Sequence, residues 1–99
     1  MAVVFLTITP LGTGTPSVSR YVAGVEQILR ATTLKHQLTA MGTIVECDLD
    51  EILTVVRKMH EHPFTQGAVR VSTLIKIDDR RDKEHTIAGK MASVEEKLL

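Results

Sequence analysis

The segment from Val69 to Arg80 constrains this chain more than any other, because apolar and polar side chains alternate along it until it ends in charged residues. Alternation with a period of two is typical of a β-strand that buries one face. One side would carry Val69, Val71, Thr73, Ile75 and Ile77, and the other Arg70, Ser72, Leu74, Lys76 and Asp78. The second side is then available to a ligand, a partner or solvent.

The first half of the chain predicts a strand, a helix and a hairpin. Residues 3–9 are rich in strand formers, and a helical stripe follows at Val18, Tyr21, Val22, Val25, Ile28 and Leu29. Ser17 or Thr15 could cap this helix. Residues 34–41 and 43–48 read as two strands joined at Gly42, since glycine readily takes the positive φ that a hairpin turn often needs.

The second half predicts two more helices around the alternating strand. Asp48 would begin a helix, with Glu51 as its capping-box partner, and Pro63 and Gly67 would mark where that helix ends. A last helix has its stripe at Ile87, Met91, Val94 and Leu98. The order β-α-β-β-α-β-α predicts an α+β fold in which a ferredoxin-like βαββαβ antiparallel sheet carries two helices on one face, with an added C-terminal helix. Residues 1–99 would form a single domain.

Two helices can cover only one face of a four-stranded sheet, so the other face must be polar, covered by the C-terminal helix or buried against another copy. The first strand is apolar on both sides, and an apolar sheet left unpaired is an aggregation hazard. These features favour a homo-oligomer.

Composition excludes several classes of partner. Twelve basic and twelve acidic residues cancel, so no net field would attract nucleic acid or an anionic membrane. The longest apolar run near the start, residues 2–6, is far too short to span a bilayer.

With a single cysteine, Cys47, and no basic leader, the chain is expected to be cytoplasmic, without an internal disulfide.

The candidate reactive motifs are weak. The turn at residues 12–17 lacks the Lys-Ser/Thr ending of a phosphate loop, so no phosphate loop is expected. His60 and His62 point in different directions on a helix, so no metal site is expected. Cys47 has no base beside it in sequence. The chain has no asparagine to orient water as acylphosphatase-type enzymes of this fold do. The mixed charges of residues 78–85 favour ion pairing over ligand binding. We therefore expect no catalysis and no cofactor.

Four segments together resemble the small thiamine-binding protein family, the YkoF-like group. They are the hairpin Leu38-Thr39-Ala40-Met41-Gly42-Thr43-Ile44-Val45-Glu46, the strand segment 67–80, the helix start Ser17-Val18-Ser19-Arg20-Tyr21-Val22 and the closing segment 93–98. The resemblance spans nearly the whole chain, with Ala40 standing where the family often has proline. It implies a ferredoxin-like homotetramer built as a dimer of dimers, which binds thiamine (vitamin B1) or its pyrimidine precursor without catalysis.

The ligand that the resemblance implies can be matched to candidate binding residues in this chain. An aminopyrimidine carries a donor and acceptors that Thr43, Ser72 or Glu46 could match, and Glu46, Tyr21 or Met41 could stabilise a thiazolium cation. The remaining candidates are Ser17, Ser19, Arg70 and Lys76. Glu46 needs a partner wherever it lies, because a carboxylate in mid-strand is costly to bury alone, and either a ligand or an Arg or Lys could supply it. The alternative function is a ligand-free oligomeric interaction or regulatory module of the same fold.

Overall fold

The structure is a computed structural model that describes all residues 1–99. Its elements, in chain order, are β1 (Ala2–Pro10), α1 (Ser19–Arg30), β2 (Lys35–Leu38), β3 (Thr43–Cys47), α2 (Leu49–Thr65), β4 (Val71–Asp79) and α3 (Ile87–Leu98). The sheet order is β2-β3-β1-β4, and all three strand pairs are antiparallel. The expected ferredoxin-like α+β fold is confirmed.

The register of the strands separates the two faces of the sheet. Val4 lies opposite Val45 on β3 and Ile77 on β4, and this row faces α1 and α2. The neighbouring row places Val3 opposite Glu46 and Asp78 on the other side, which we call the open face. The alternation read from the sequence of β4 therefore separates a helix-facing side from an open one, with Ser72, Leu74, Lys76 and Asp78 on the open face.

The core lies between the sheet and the helix pair α1–α2. Leu29 of α1, Ile52 and Met59 of α2 and Val45 of β3 have essentially no exposure. Cys47 is buried with them. Its thiol pKa is raised to about 11, mainly by burial and to a lesser degree by the nearby negative charges of Glu51 and Asp48. Cys47 therefore acts as a small apolar group.

The hairpin needs Gly42 for a reason other than the predicted one. Gly42 does not have a positive φ. A Cβ there would lie 2.5 Å from the Phe5 ring and 2.9 Å from the Leu6 carbonyl oxygen, so the chain requires glycine for close approach. The turn itself is held by Thr39, whose hydroxyl donates to the Gly42 carbonyl at 2.6 Å and accepts from the Met41 and Gly42 amides.

The expected caps of the first two helices are wrong in detail. The N-cap of α1 is Val18, and neither Ser17 nor Thr15 caps it through a side chain. Asp48 holds the N-cap position of α2, but its side chain makes no capping bond, so the capping box is absent. The helix ends at Thr65, between Pro63 and Gly67 as expected, and Pro63 packs in the core.

The third helix begins beside the open face but buries none of its residues. Its apolar stripe of Met91, Val94 and Leu98 is more than half exposed. No helix in the chain combines the length and apolar character needed to cross a membrane.

Candidate functional site

A groove of about 230 Å³ opens where the β2–β3 turn, the second half of β1 and the side of α1 meet. We call it the hairpin groove. Its lining consists of residues 6–9 of β1, Val22, Val25 and Glu26 of α1, and residues 38–43 of the hairpin. About half of these residues are hydrophobic, which gives the groove the mixed wall typical of small-molecule sites.

The groove exists because β1 is longer than its neighbour. Pairing with β3 stops at Leu6 opposite Thr43, whereas pairing with β4 continues to Pro10 opposite Val71. Beyond Leu6, one edge of β1 therefore has no strand beside it. An unpaired strand edge presents backbone donors and acceptors to whatever fills the gap.

The backbone of Ile8 is the part of that edge which faces the groove. The amide of Leu11 donates to the Arg70 carbonyl at 2.8 Å, so the backbone groups of Leu11 point towards the β4 side. Backbone directions alternate along a strand, and those of Ile8 therefore point away from β4, towards the missing partner. Ile8 lines the groove and offers one N–H donor and one C=O acceptor there.

Glu26 is the charged side chain of the groove wall. It is only 6% exposed although it carries a carboxylate. Its Oε1 atom lies 3.0 Å from His36 Nε2 and 3.5 Å from Arg30 Nε. No hydrogen bond within the chain reaches Oε2, and that atom is not sealed from solvent. One carboxylate oxygen is thus held by the protein, and the other remains available.

His36 holds the Glu26 carboxylate from the side of β2. Its Nδ1 lies 2.9 Å from the Leu34 carbonyl oxygen, and its Nε2 lies 3.0 Å from Glu26 Oε1. These two contacts fix the imidazole ring, and the His36–Glu26 pair forms an ordered part of the groove wall.

Two of the residues expected from the sequence lie in the hairpin groove. Thr43 is 7% exposed and its hydroxyl makes no side-chain hydrogen bond within the chain, so it can bind a ligand. Met41 is 82% exposed at the rim of the groove. A flexible thioether in that position can close over an apolar ring.

Three other expected residues lie in a separate cavity of about 370 Å³ at the start of α1. Ser17 and Ser19 line it beside Tyr21, whose hydroxyl accepts from the Arg20 guanidinium at 3.0 Å. The same guanidinium carbon lies 4.8 Å from the centre of the Tyr21 ring. Tyr21 is therefore already engaged with a cation of its own chain.

Ser72, Lys76 and Glu46 lie on the open face, and Arg70 lies just before β4 at the end of the sheet. The buried Glu46 carboxylate has two partners in the chain. Lys35 Nζ approaches its Oε2 at 3.9 Å, and the Ile87 amide, in the first turn of α3, donates to its Oε1. The required partner of Glu46 is thus a lysine together with a helix N-terminus.

The largest cavity, of about 670 Å³, adjoins α3 and is lined by ten residues, none of them hydrophobic. At its floor Asp78 accepts a hydrogen bond from Lys90 at 2.6 Å and lies 3.3 Å from His85 Nε2. The Lys90 hydrogen bond is the main reason that the pKa of Asp78 lies below its usual range. The bond between Asp78 and Lys90 attaches α3 to the end of β4, whereas the buried His85 Nε2 has no hydrogen-bond partner in the chain.

Sequence reasoning missed Glu26, although a signal was present. Glu26 follows Val22 by four residues and precedes Leu29 by three, so it lies on the apolar stripe of α1. A carboxylate on such a stripe is buried on folding and needs a partner. The partner, His36, is ten residues away and comes close only because β2 returns beside α1.

Comparisons with known proteins agree with this architecture. A sequence model of the family described as thiamine-binding protein matches residues 4–95. The UPF0045 protein YqgV of Bacillus subtilis is 47% identical over 99% of this chain and 98% of its own length. The crystal structure of the hypothetical protein MJ1052 from Methanocaldococcus jannaschii superposes with a TM-score of 0.87, at 39% identity and 96% coverage of both chains. A Thermotoga maritima protein provisionally assigned to thiamine biosynthesis or salvage shares the fold at 19% identity, with a TM-score of 0.76, over 94% of this chain and 97% of that one.

Proposed function

Because this chain belongs to the thiamine-binding protein family, we propose that it binds thiamine, or the hydroxymethylpyrimidine part of thiamine, in the hairpin groove without converting it. The observation that carries the proposal is the groove itself, which combines an apolar wall with the unpaired Thr43 hydroxyl and a free oxygen of Glu26. A small number of convergent polar groups in an apolar cleft is the usual composition of a ligand site.

The size of the groove favours the pyrimidine half of thiamine as the part that is enclosed. Small-molecule pockets ordinarily begin at about 300 Å³. The groove holds about 230 Å³, which suits one substituted ring. The thiazolium ring would then lie at the rim near Met41, where its positive charge keeps contact with water.

Calorimetric titration with thiamine and with the hydroxymethylpyrimidine tests the proposal. We expect both compounds to bind, and Thr43→Val to weaken binding about 5- to 10-fold because a hydroxyl in a closed site contributes about 1 kcal/mol. Ser72→Ala on the open face is the matched control and should bind as the unchanged protein does. Absence of binding for both compounds, or equal losses in the two variants, would contradict this site.

The oligomeric state is a further part of the proposal. We expect a homotetramer, because the open face exposes Leu74 and the adjoining α3 exposes Met91, Val94 and Leu98, and a second copy could cover both surfaces. Sedimentation at micromolar concentration provides the test. A monomer under those conditions would refute the assembly without affecting the groove.

The exposed stripe of α3 also favours the alternative function, a regulatory or interaction module that binds no vitamin. Mass spectrometry of the denatured protein distinguishes the two functions. A co-purified pyrimidine or thiamine supports ligand binding, whereas an oligomer that is empty and cannot be loaded by titration supports the interaction module.

A further inference from the structure

We infer that the cavity of about 370 Å³ at the start of α1 binds a phosphate group, carried by a small phosphate ester or present as inorganic phosphate. We call it the α1 cavity; its lining residues lie between Thr13 and Tyr21. It shares no lining residue with the hairpin groove, so this site stands independently of the proposed function. The basis of the inference is a set of hydrogen-bond donors for which the chain supplies no acceptors.

The lining of the α1 cavity contains donors but no carboxylate. It consists of one arginine and five residues with hydroxyl groups, namely Arg20, Thr13, Thr15, Ser17, Ser19 and Tyr21. The large cavity beside α3, in contrast, has Asp78, Asp79 and Glu84 among its lining residues. Nothing in the lining of the α1 cavity would repel an anion or neutralise the arginine, so the cavity is suited to a negatively charged ligand.

Arg20 supplies the positive charge of the α1 cavity. It takes part in none of the ion pairs of the chain, whereas Arg30, Arg80 and Arg81 each contact a carboxylate. The turn at residues 12–17 lacks the lysine of a phosphate loop, and Arg20 provides the charge in its place. A planar guanidinium can donate two parallel N–H bonds to a phosphate, which makes arginine well suited to bind this group.

The contact between Arg20 and Tyr21 holds the guanidinium in place. Nη2 of Arg20 donates to the Tyr21 hydroxyl at 3.0 Å, and the guanidinium carbon lies 4.8 Å from the centre of the Tyr21 ring. The other N–H groups of Arg20 have no acceptor in the chain. An arginine that is already oriented loses less conformational entropy when it binds an anion.

Tyr21 adds a second donor whose hydrogen is unpaired. The residue is only 8% exposed and lines the α1 cavity. Its hydroxyl oxygen accepts from Arg20, but no group of the chain accepts the hydroxyl hydrogen. A largely buried hydroxyl that lacks an acceptor costs free energy, and a ligand oxygen would remove that cost.

The first turn of α1 adds backbone donors at the same end of the helix. Its N-cap residue, Val18, has no side chain that can cap the free amides. The first amide of the helix with an acceptor is that of Tyr21, which donates to the Val18 carbonyl at 3.0 Å. The amides of Ser19 and Arg20 therefore remain available, and they add to the side-chain donors of the cavity.

The number of donors favours a phosphate group over a carboxylate. A carboxylate has two acceptor oxygens, whereas the phosphate group of an ester has three strong ones. The hydroxyls of Ser17 and Ser19 can also accept a hydrogen from the singly protonated form, because a hydroxyl both donates and accepts. The cavity volume lies within the range of small-molecule pockets, roughly 300–1,000 Å³, which leaves room for the organic part of an ester.

Titration followed by amide NMR tests the site with three probes: inorganic phosphate, ribose 5-phosphate and ribose. We expect saturable shifts centred on Ser19, Arg20 and Tyr21 with both phosphates and none with ribose. Tighter binding of ribose 5-phosphate supports an ester as the source of the group, and equal binding of the two phosphates supports the free ion. Absence of saturable binding at millimolar concentration, or shifts that ribose alone reproduces, would overturn the inference and leave the hairpin groove unaffected.

The variant Arg20→Gln tests the charged donor. It should weaken phosphate binding at least about 10-fold, because hydrogen bonds between charged groups are the strong ones. Arg57→Gln on α2 is the matched control, since Arg57 is exposed and makes no ion pair, but lies beside Glu61. It should change the affinity by less than about 2-fold. Equal losses in the two variants would assign the effect to net charge and refute the site.

The variant Tyr21→Phe tests the phenolic donor. It keeps the ring beside Arg20 and removes the hydroxyl, so the affinity for phosphate should fall about 3- to 10-fold. Circular dichroism checks that the variant is folded. Unchanged affinity in folded Tyr21→Phe would overturn the inference. If Tyr21→Phe does not fold, the exposed substitution Arg20→Gln decides, and undiminished binding there overturns the inference equally.

Discussion

Helices α1 and α3 are both 12 residues long and both have an apolar stripe, yet the structure uses them differently. The first buries Tyr21, Val25, Glu26 and Leu29 against the sheet and α2, whereas the third buries no residue. Periodicity establishes that each segment is a helix with a preferred face. What that face contacts depends on the rest of the fold.

The attachment of the two helices differs in kind. Helix α1 is held by apolar contacts around Leu29 in the core. Helix α3 is held at its beginning by polar contacts, through Glu46 to the Ile87 amide and through Asp78 to Lys90. Apolar burial is the larger stabilising term in water, and exposed ion pairs contribute little. The end of α3 is therefore held less firmly than α1, and in the proposed assembly it would gain stability from a second copy.

The largest effect is expected for truncation on the buried side. Leu29→Ala removes a fully buried side chain of α1 and should lower the free energy of unfolding by about 2–5 kcal/mol, through lost transfer energy and the cavity left behind. Urea denaturation monitored by circular dichroism measures this change.

Val94→Ala on α3 is the matched truncation. At low protein concentration it should change the free energy of unfolding by less than about 0.5 kcal/mol, because the side chain is mostly exposed in a single subunit. If α3 packs against another copy, the loss should grow with protein concentration, since association stabilises the folded state by mass action. Equal losses for Leu29→Ala and Val94→Ala at low concentration would remove the contrast between the helices.

Much of the fold could be predicted from sequence because hydrophobic periodicity reports local burial. The alternation in β4 and the stripe of α1 predicted the elements and their order, and these were sufficient for the ferredoxin-like arrangement. The ends of elements were less well predicted. Thr15 and Ser17 are suitable caps by type, but the loop places Val18 at the cap position, which no local pattern reveals.

The candidate site was harder to predict because it is made by contacts between distant segments. Gly42 was expected to supply a positive φ, yet its constraint comes from the Phe5 ring, far away in sequence. Glu46 was expected to need a partner, but the Ile87 amide is 41 residues away. The groove results from the unequal lengths of β1 and β3, and length differences at strand ends are among the least certain features of a sequence reading.

A smaller effect is expected when the contact between Glu46 and the Ile87 amide, which attaches the start of α3, is weakened. Glu46→Gln removes the negative charge beside the helix N-terminus and the contact with Lys35, which should lower stability by about 1 kcal/mol. Amide exchange should accelerate in the first turns of α3 and remain unchanged around Leu29. Uniform acceleration across both helices would show that Glu46 supports the whole domain and would remove the contrast between α1 and α3.

The smallest effect is expected from protonation of Asp78 at acid pH, because the hydrogen bond between Asp78 and Lys90 is the second polar attachment of α3. The hydrogen bond from Lys90 lowers the pKa of Asp78 in the folded state, with the charges of Lys90 and His85 adding to it, so the folded chain binds this proton less readily than the unfolded chain. The contribution of ionised Asp78 to the stability of the folded state is fully present above the unfolded pKa of about 3.9. It disappears as the pH falls through the lower pKa of the folded state. Amide exchange in α3 should therefore accelerate below about pH 4, relative to that of β1 in the same sample. In Asp78→Asn the difference between α3 and β1 should be present already at neutral pH and should change less on acidification. If the unchanged protein and Asp78→Asn respond to acid alike, Asp78 does not hold α3, and Glu46 alone anchors the helix.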